Sequence, residues 1–143
     1  MPYQFTHAIH GLNVRDRLPE AGKKLLSAQE PYFLLGLYGP DVFFGDRLPP
    51  PLFTKHVKAV GNALHAVPGE VLFSSLLPTV SESDRGFSFA IGFLCHLALD
   101  NTLHPFIESR ARGLDHTRLE MRQDLINRDA SGRAELMRSP NAV

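Results

Sequence analysis

The sequence predicts an all-α fold, a single-domain helical bundle, and three observations carry that reading. Apolar residues recur at three- and four-residue steps, as on one face of a helix; Phe53, Val57, Val60, Leu64 and Val67 are the clearest set. No segment alternates apolar and polar residues as a half-buried strand would, and no internal repeat is present. The 143 residues, 43% hydrophobic and 21% charged, suffice for one ordinary globular core.

Each element has its own signal. Thr6 is an N-cap candidate for a first helix running to about Leu18, where Pro19 follows. Glu20 to Gln29 reads as a second helix with Leu25, Leu26 and Ala28 on its apolar side. Pro31 to Phe44 is rich in aromatics and glycine, carries Asp41 in its middle, and is broken by Gly39-Pro40. Pro49, Pro50 and Pro51 make a stiff extended connector. Phe53 to Val67 is helical, and Glu70 to Leu77 is a short helix or its continuation. Ser81 to Asp84 resembles a capping box for a helix to about His104. Asp115 caps a last helix, His116 to about Arg128. Residues 1–128 are thus expected to form the domain, and 129–143 a polar, poorly ordered tail.

Charge and leader signals narrow the function. Lysine plus arginine equals aspartate plus glutamate at 15 each, so the net charge is zero. That argues against a footprint for duplex nucleic acid and against a polybasic membrane anchor. Met1 to Gly11 has no signal-peptide pattern, and Phe87 to Leu99, the longest apolar region, is interrupted by Ser88, Gly92 and His96. A cytoplasmic protein without a transmembrane segment is expected. The lone Cys95 excludes an internal disulfide and reads as an inert core thiol.

The chemistry lies in FSFAIGFLCHLALDNTLHP, Phe87 to Pro105. It is apolar nearly all round, which predicts a buried central helix. Yet His96, Asp100 and His104 stand four residues apart, within a stripe roughly 80° wide. A buried aspartate without a partner is costly, and a metal ion among the imidazoles removes that cost. His116 and Glu120 repeat the four-residue spacing on the next helix. Nitrogen and oxygen ligands of this kind suit zinc. A lone histidine on an apolar helix is more often a hydrogen-bonded core residue, and a lone His–Glu pair a solvated one. Two neighbouring helices showing both features favour the metal. His7, Asp41 and His65 are further ligand candidates, but spacing alone leaves them as a surface residue, a turn former and a boundary residue.

The order TH, LLGLYGPDVFF, GNALH, GFLCHLALDNTLHP and HTRLE resembles the zinc-dependent phospholipase C family, related in fold to the S1/P1 nucleases, from about Pro2 to Arg128. The resemblance implies a helical bundle of the phospholipase C / P1 nuclease type whose pocket holds up to three zinc ions. It implies that Asp41, His65, His96 and Asp100 hold one ion, and His104, His116 and Glu120 a second. His7 and a bridging Asp100 would hold a third, to which secreted members add the mature N-terminal amine. Without a signal peptide to be removed, the third site would lack its last ligand, so two ions are expected here ahead of a third. His56 competes with His65 for the ligand position after Asp41, and the GNALH context favours His65. Asp41 stands where the family has its candidate general base. The implied activity is a zinc-dependent phosphoric-ester hydrolase, a phosphodiesterase or phosphatase, acting on a small phosphate ester or a phospholipid head group. The alternative is a non-catalytic binding or assembly protein stabilised by its metal.

Overall fold

The protein is described by a computed structural model covering residues 4–44, 55–80 and 82–132, without the side chains of Lys55 and His56. The described residues form seven α-helices and no strand: α1 Gln4–Arg15, α2 Glu20–Ala28, α3 Glu30–Tyr38, α4 Lys55–Ala66, α5 Gly69–Val80, α6 Asp84–Glu108 and α7 Leu114–Ser131. A short 3-10 helix, Gly39–Phe44, follows α3 directly. The triple-proline connector, the His56 alternative and the tail from residue 133 fall outside the described residues.

The α6 helix is the axis. It packs most extensively on α3, then on α5 and α1, while α7 lies chiefly along α1. The α3–α6 contact is made backbone to backbone. A Cβ added at Gly36 would stand 2.2 Å from the Phe89 carbonyl, and one at Gly92 would stand 2.2 Å from the Phe33 carbonyl. Paired glycines therefore set the crossing. Beside it lies the core: Leu12, Leu26, Phe33, Leu37 and Cys95, with Leu18, Leu34 and Ile91 packed against them. Full burial of a side chain such as Phe33 contributes about 1.5–3 kcal/mol. The Cys95 thiol belongs to this core, and burial pushes its pKa up to about 11.

Several sequence expectations are corrected. Thr6 does not cap α1; it sits inside the helix and bonds to Asp124, 118 residues away. The first helix ends at Arg15, and turns carry the chain to Leu18. Ser83 is the N-cap of α6, accepting from the Gly86 N–H at 3.1 Å. The same helix runs past His104 and Pro105 to Glu108. Asp115 is not a cap: α7 starts after Gly113, which has φ of 58°, and the Asp115 carboxylate accepts from Arg118. The last helix reaches Ser131. α5 is a separate helix, turned 112° from α4. Nor is α6 buried all round, since Phe87 and Leu94 are exposed. It is also long and apolar enough to span a bilayer by length and composition alone. It carries Asp100 and two histidines, which are costly in hydrocarbon, and it serves here as the axis of a bundle.

Candidate metal centre

His96 is one helical turn beyond Gly92, so the glycine crossing brings it against the end of α3. Its side chain is fully buried, and its Nδ1 donates to the Leu37 carbonyl at 3.1 Å. A carbonyl can only accept, so the proton is on Nδ1. His65, on the last turn of α4, is held the same way: Nδ1 donates to the Gly61 carbonyl at 2.8 Å. Both rings therefore aim Nε2 at the centre. Such a backbone carbonyl behind the ring is the usual support of a metal-binding histidine.

What faces these nitrogens is carboxylate. His96 Nε2 lies 3.0 Å from Asp100 Oδ2, and His65 Nε2 lies 3.1 Å from Asp41 Oδ1. His7 Nε2 is 3.2 Å and His104 Nε2 3.6 Å from the other Asp100 oxygen, Oδ1. The His7 and His96 rings stack at 4.1 Å between centroids. Asp100 thus stands among three imidazoles from two helices. Burial alone would raise its pKa, but His7 and His96 outweigh burial and hold it well below the usual carboxylate range.

The residues fit a metal by one observation above the others. His96 Nε2 is buried and makes no hydrogen bond. The Asp100 Oδ2 oxygen lies 3.0 Å away, at ion-pair distance. A buried polar atom without a partner calls for an explanation. A neutral imidazole nitrogen and a carboxylate oxygen both present lone pairs, so they repel unless a proton or a metal cation lies between them. Ligand atoms about 2.0–2.2 Å from zinc in a tetrahedral site stand roughly 3.3–3.6 Å apart, close to the separations here. Two groups have all their ligand atoms within 4.8 Å of one another: His7 with Asp41 and His96, and His65 with His96 and Asp100.

His104, His116 and Glu120 stand differently. His116 Nε2 meets Glu120 Oε1 at 2.5 Å, and the His104 and His116 rings touch edge to face at 5.8 Å. The three do not converge in a group as tight as the other two among the described residues. Glu120 is buried, which raises its pKa against the opposing charge of His116. The Asp41 carboxylate raises the His65 pKa against burial, with help from the Gly61 carbonyl.

Gly39, between α3 and Asp41, is a contributor that sequence reasoning treated only as a breaker. Its φ is 51°, and a Cβ there would stand 2.6 Å from the His96 ring. The glycine lets the chain turn against the imidazole and delivers Asp41. A cavity of about 410 Å³ opens beside the centre, lined by His65, Asp100 and His104 and walled by Leu64, Val67 and Leu97. It leaves the cluster open to solvent on that side.

A family model described as zinc dependent phospholipase C matches residues 5–141. No curated protein and no solved structure matches the chain.

Proposed function

The chain belongs to the zinc-dependent phospholipase C family, and we propose that it is a zinc-dependent hydrolase of phosphoric esters. The observation that carries the proposal is the buried, unbonded Nε2 of His96 facing the Asp100 carboxylate, in a cluster that opens on a cavity. His65, His96, Asp41 and Asp100 are proposed to hold one ion and His104, His116 and Glu120 a second; His7 with Asp100 would contribute only to a third, more weakly held one, so two ions per chain are expected. Zinc bound by these residues would supply Lewis-acid chemistry, polarising a phosphoryl group and lowering the pKa of water.

The chain's own residues do the rest. Gly61 and Leu37 carbonyls hold the two imidazoles with Nε2 inward, which removes the need to reorganise on binding. The Asp41 side chain keeps 19% of its surface exposed, enough to meet water. We assign it the general base: it accepts the proton of the attacking water as oxygen bonds to phosphorus. The ester P–O bond breaks, and the alcohol leaves with a proton from solvent. The apolar side of the cavity, Leu64, Val67 and Leu97, receives the organic part of the ester.

Hydrolysis of chromogenic phosphate monoesters and diesters with zinc present tests this. Turnover is expected, with Asp41→Asn slower by about 100-fold or more, the usual contribution of a positioned base. Asp41→Asn turning over at the wild-type rate would remove the base assignment. Zinc binding with no turnover of any ester would leave the non-catalytic alternative, in which the ion staples the bundle.

A further inference from the structure

A second polar cluster lies on α7 beyond the proposed ligands. His116, Glu120 and Asp124 follow at four-residue steps and so share one stripe of the helix. The Asp124 carboxylate meets the first turn of α1. Oδ1 accepts from the Thr6 backbone N–H at 2.9 Å and from the Thr6 hydroxyl, and Oδ2 accepts from the Phe5 N–H at 3.3 Å. Asn127 Nδ2 donates to Thr6 Oγ1 at 3.0 Å. The opening N–H groups of a helix have no partner within it. They are usually capped by the residue just before the helix. Here the cap comes from another helix, and its negative charge suits the positive end of the α1 dipole.

The clamp is adjacent to the metal centre in sequence. Thr6 is followed by His7, whose Nε2 lies 3.2 Å from Asp100 and whose ring stacks on His96. Thr6 and His7 are both buried, so a shift of one moves the other. We propose that Asp124, with Asn127, is a positioning residue for the metal centre. It fixes the register of α1 so that His7 is held against Asp100. It also ties His7 to the helix that carries His116 and Glu120, so the two ligand groups share one frame. The inference rests on the zinc reading above and adds a role for a residue that touches none of the proposed ligands through its hydrogen bonds.

The test measures zinc retention, not turnover. Full-length wild type, Asp124→Ala, Asp124→Asn and, as control, Leu12→Ala are loaded with zinc and titrated with a competing chelator, and Tm is recorded. Leu12 is a buried core residue of the same helix. Asp124→Ala is expected to weaken the least tightly held ion by about 10- to 100-fold, as loss of a residue supporting a ligand does elsewhere. Asp124→Asn, which keeps one acceptor oxygen, is expected to fall between. Leu12→Ala is expected to lower Tm while keeping its zinc affinity. Should Asp124→Ala not fold, Thr6→Val and Asp124→Asn carry the test, and zinc affinity lowered in both supports the proposal. Wild-type affinity in the Asp124 variants overturns it, as does equal zinc loss in Leu12→Ala. A wild type that binds no zinc overturns both this proposal and the hydrolase reading; a wild type that binds zinc beside unaffected variants overturns only this one.

Discussion

At Gly39 the backbone takes φ 51° and ψ −141°, a conformation that side-chain-bearing residues adopt only under strain, and it does so against the His96 ring. Gly39→Ala is expected to cost about 1–3 kcal/mol from the dihedral alone. The added methyl must also displace His96, so zinc affinity should fall with stability; urea unfolding with and without zinc checks both. The histidines themselves divide by how far their partners lie in sequence. His96, Asp100 and His104 were legible because four-residue spacing on one helix fixes their common face without any tertiary knowledge. His7, Asp41 and His65 were not, because each reaches the centre from a different element. Only the family resemblance singled them out. Thr6 was misread for the same reason: a threonine before a helical run looks like a cap, and nothing local reveals a partner 118 residues on.

Helix by helix, the decisive contact is the α3–α6 crossing. Gly92→Ala places a methyl against the Phe33 carbonyl, a backbone atom that cannot swing away. The helices must separate, and His96 one turn later loses its fixed distance to the Leu37 carbonyl. We expect a loss of about 1–3 kcal/mol, as for other overpacked contacts, measurable by chemical denaturation. Ser83→Ala is a milder change at the start of the same helix; removing its cap should cost about 1 kcal/mol and leave zinc binding intact. Helix existence was legible from apolar periodicity, whereas ends were not. α6 continues through Pro105 because its tertiary contacts extend to buried Ile107, beyond the point where a proline signals a stop. α7 begins at a glycine with positive φ in place of an acidic cap, and only the backbone conformation reveals it.

Across the whole molecule, the proposed zinc would compete with protons for the same nitrogens. The folded metal-free protein raises the His65 pKa above its ordinary value of 6.5, chiefly through Asp41. That stability is fully present below pH 6.5 and is lost as pH rises through the folded value. Asp100 is shifted the other way, so its contribution is present above pH 3.8 and is lost only as pH falls toward its lowered value. Between these limits protonated His65 against the Asp41 carboxylate helps hold the cluster together. Zinc needs the imidazoles neutral, so its binding strengthens as those protons leave. The gain in Tm on adding zinc should therefore grow between about pH 6 and pH 8. Scanning fluorimetry across that range, with zinc and with chelator, checks the sign; a gain that shrinks with pH would exclude neutral histidine ligands.

The central claim, that this bundle is built around zinc, is tested most directly by elemental analysis of untagged protein at neutral pH, wild type beside Asp100→Asn. Asp100 faces His7, His96 and His104 at once, so no other single carboxylate should matter as much. The expected result is about two zinc ions per chain in the wild type, and at least one fewer in Asp100→Asn, because the variant loses the carboxylate charge proposed to ligate the ion. Less than one zinc per chain in the wild type, or the same content in both proteins, would contradict the account.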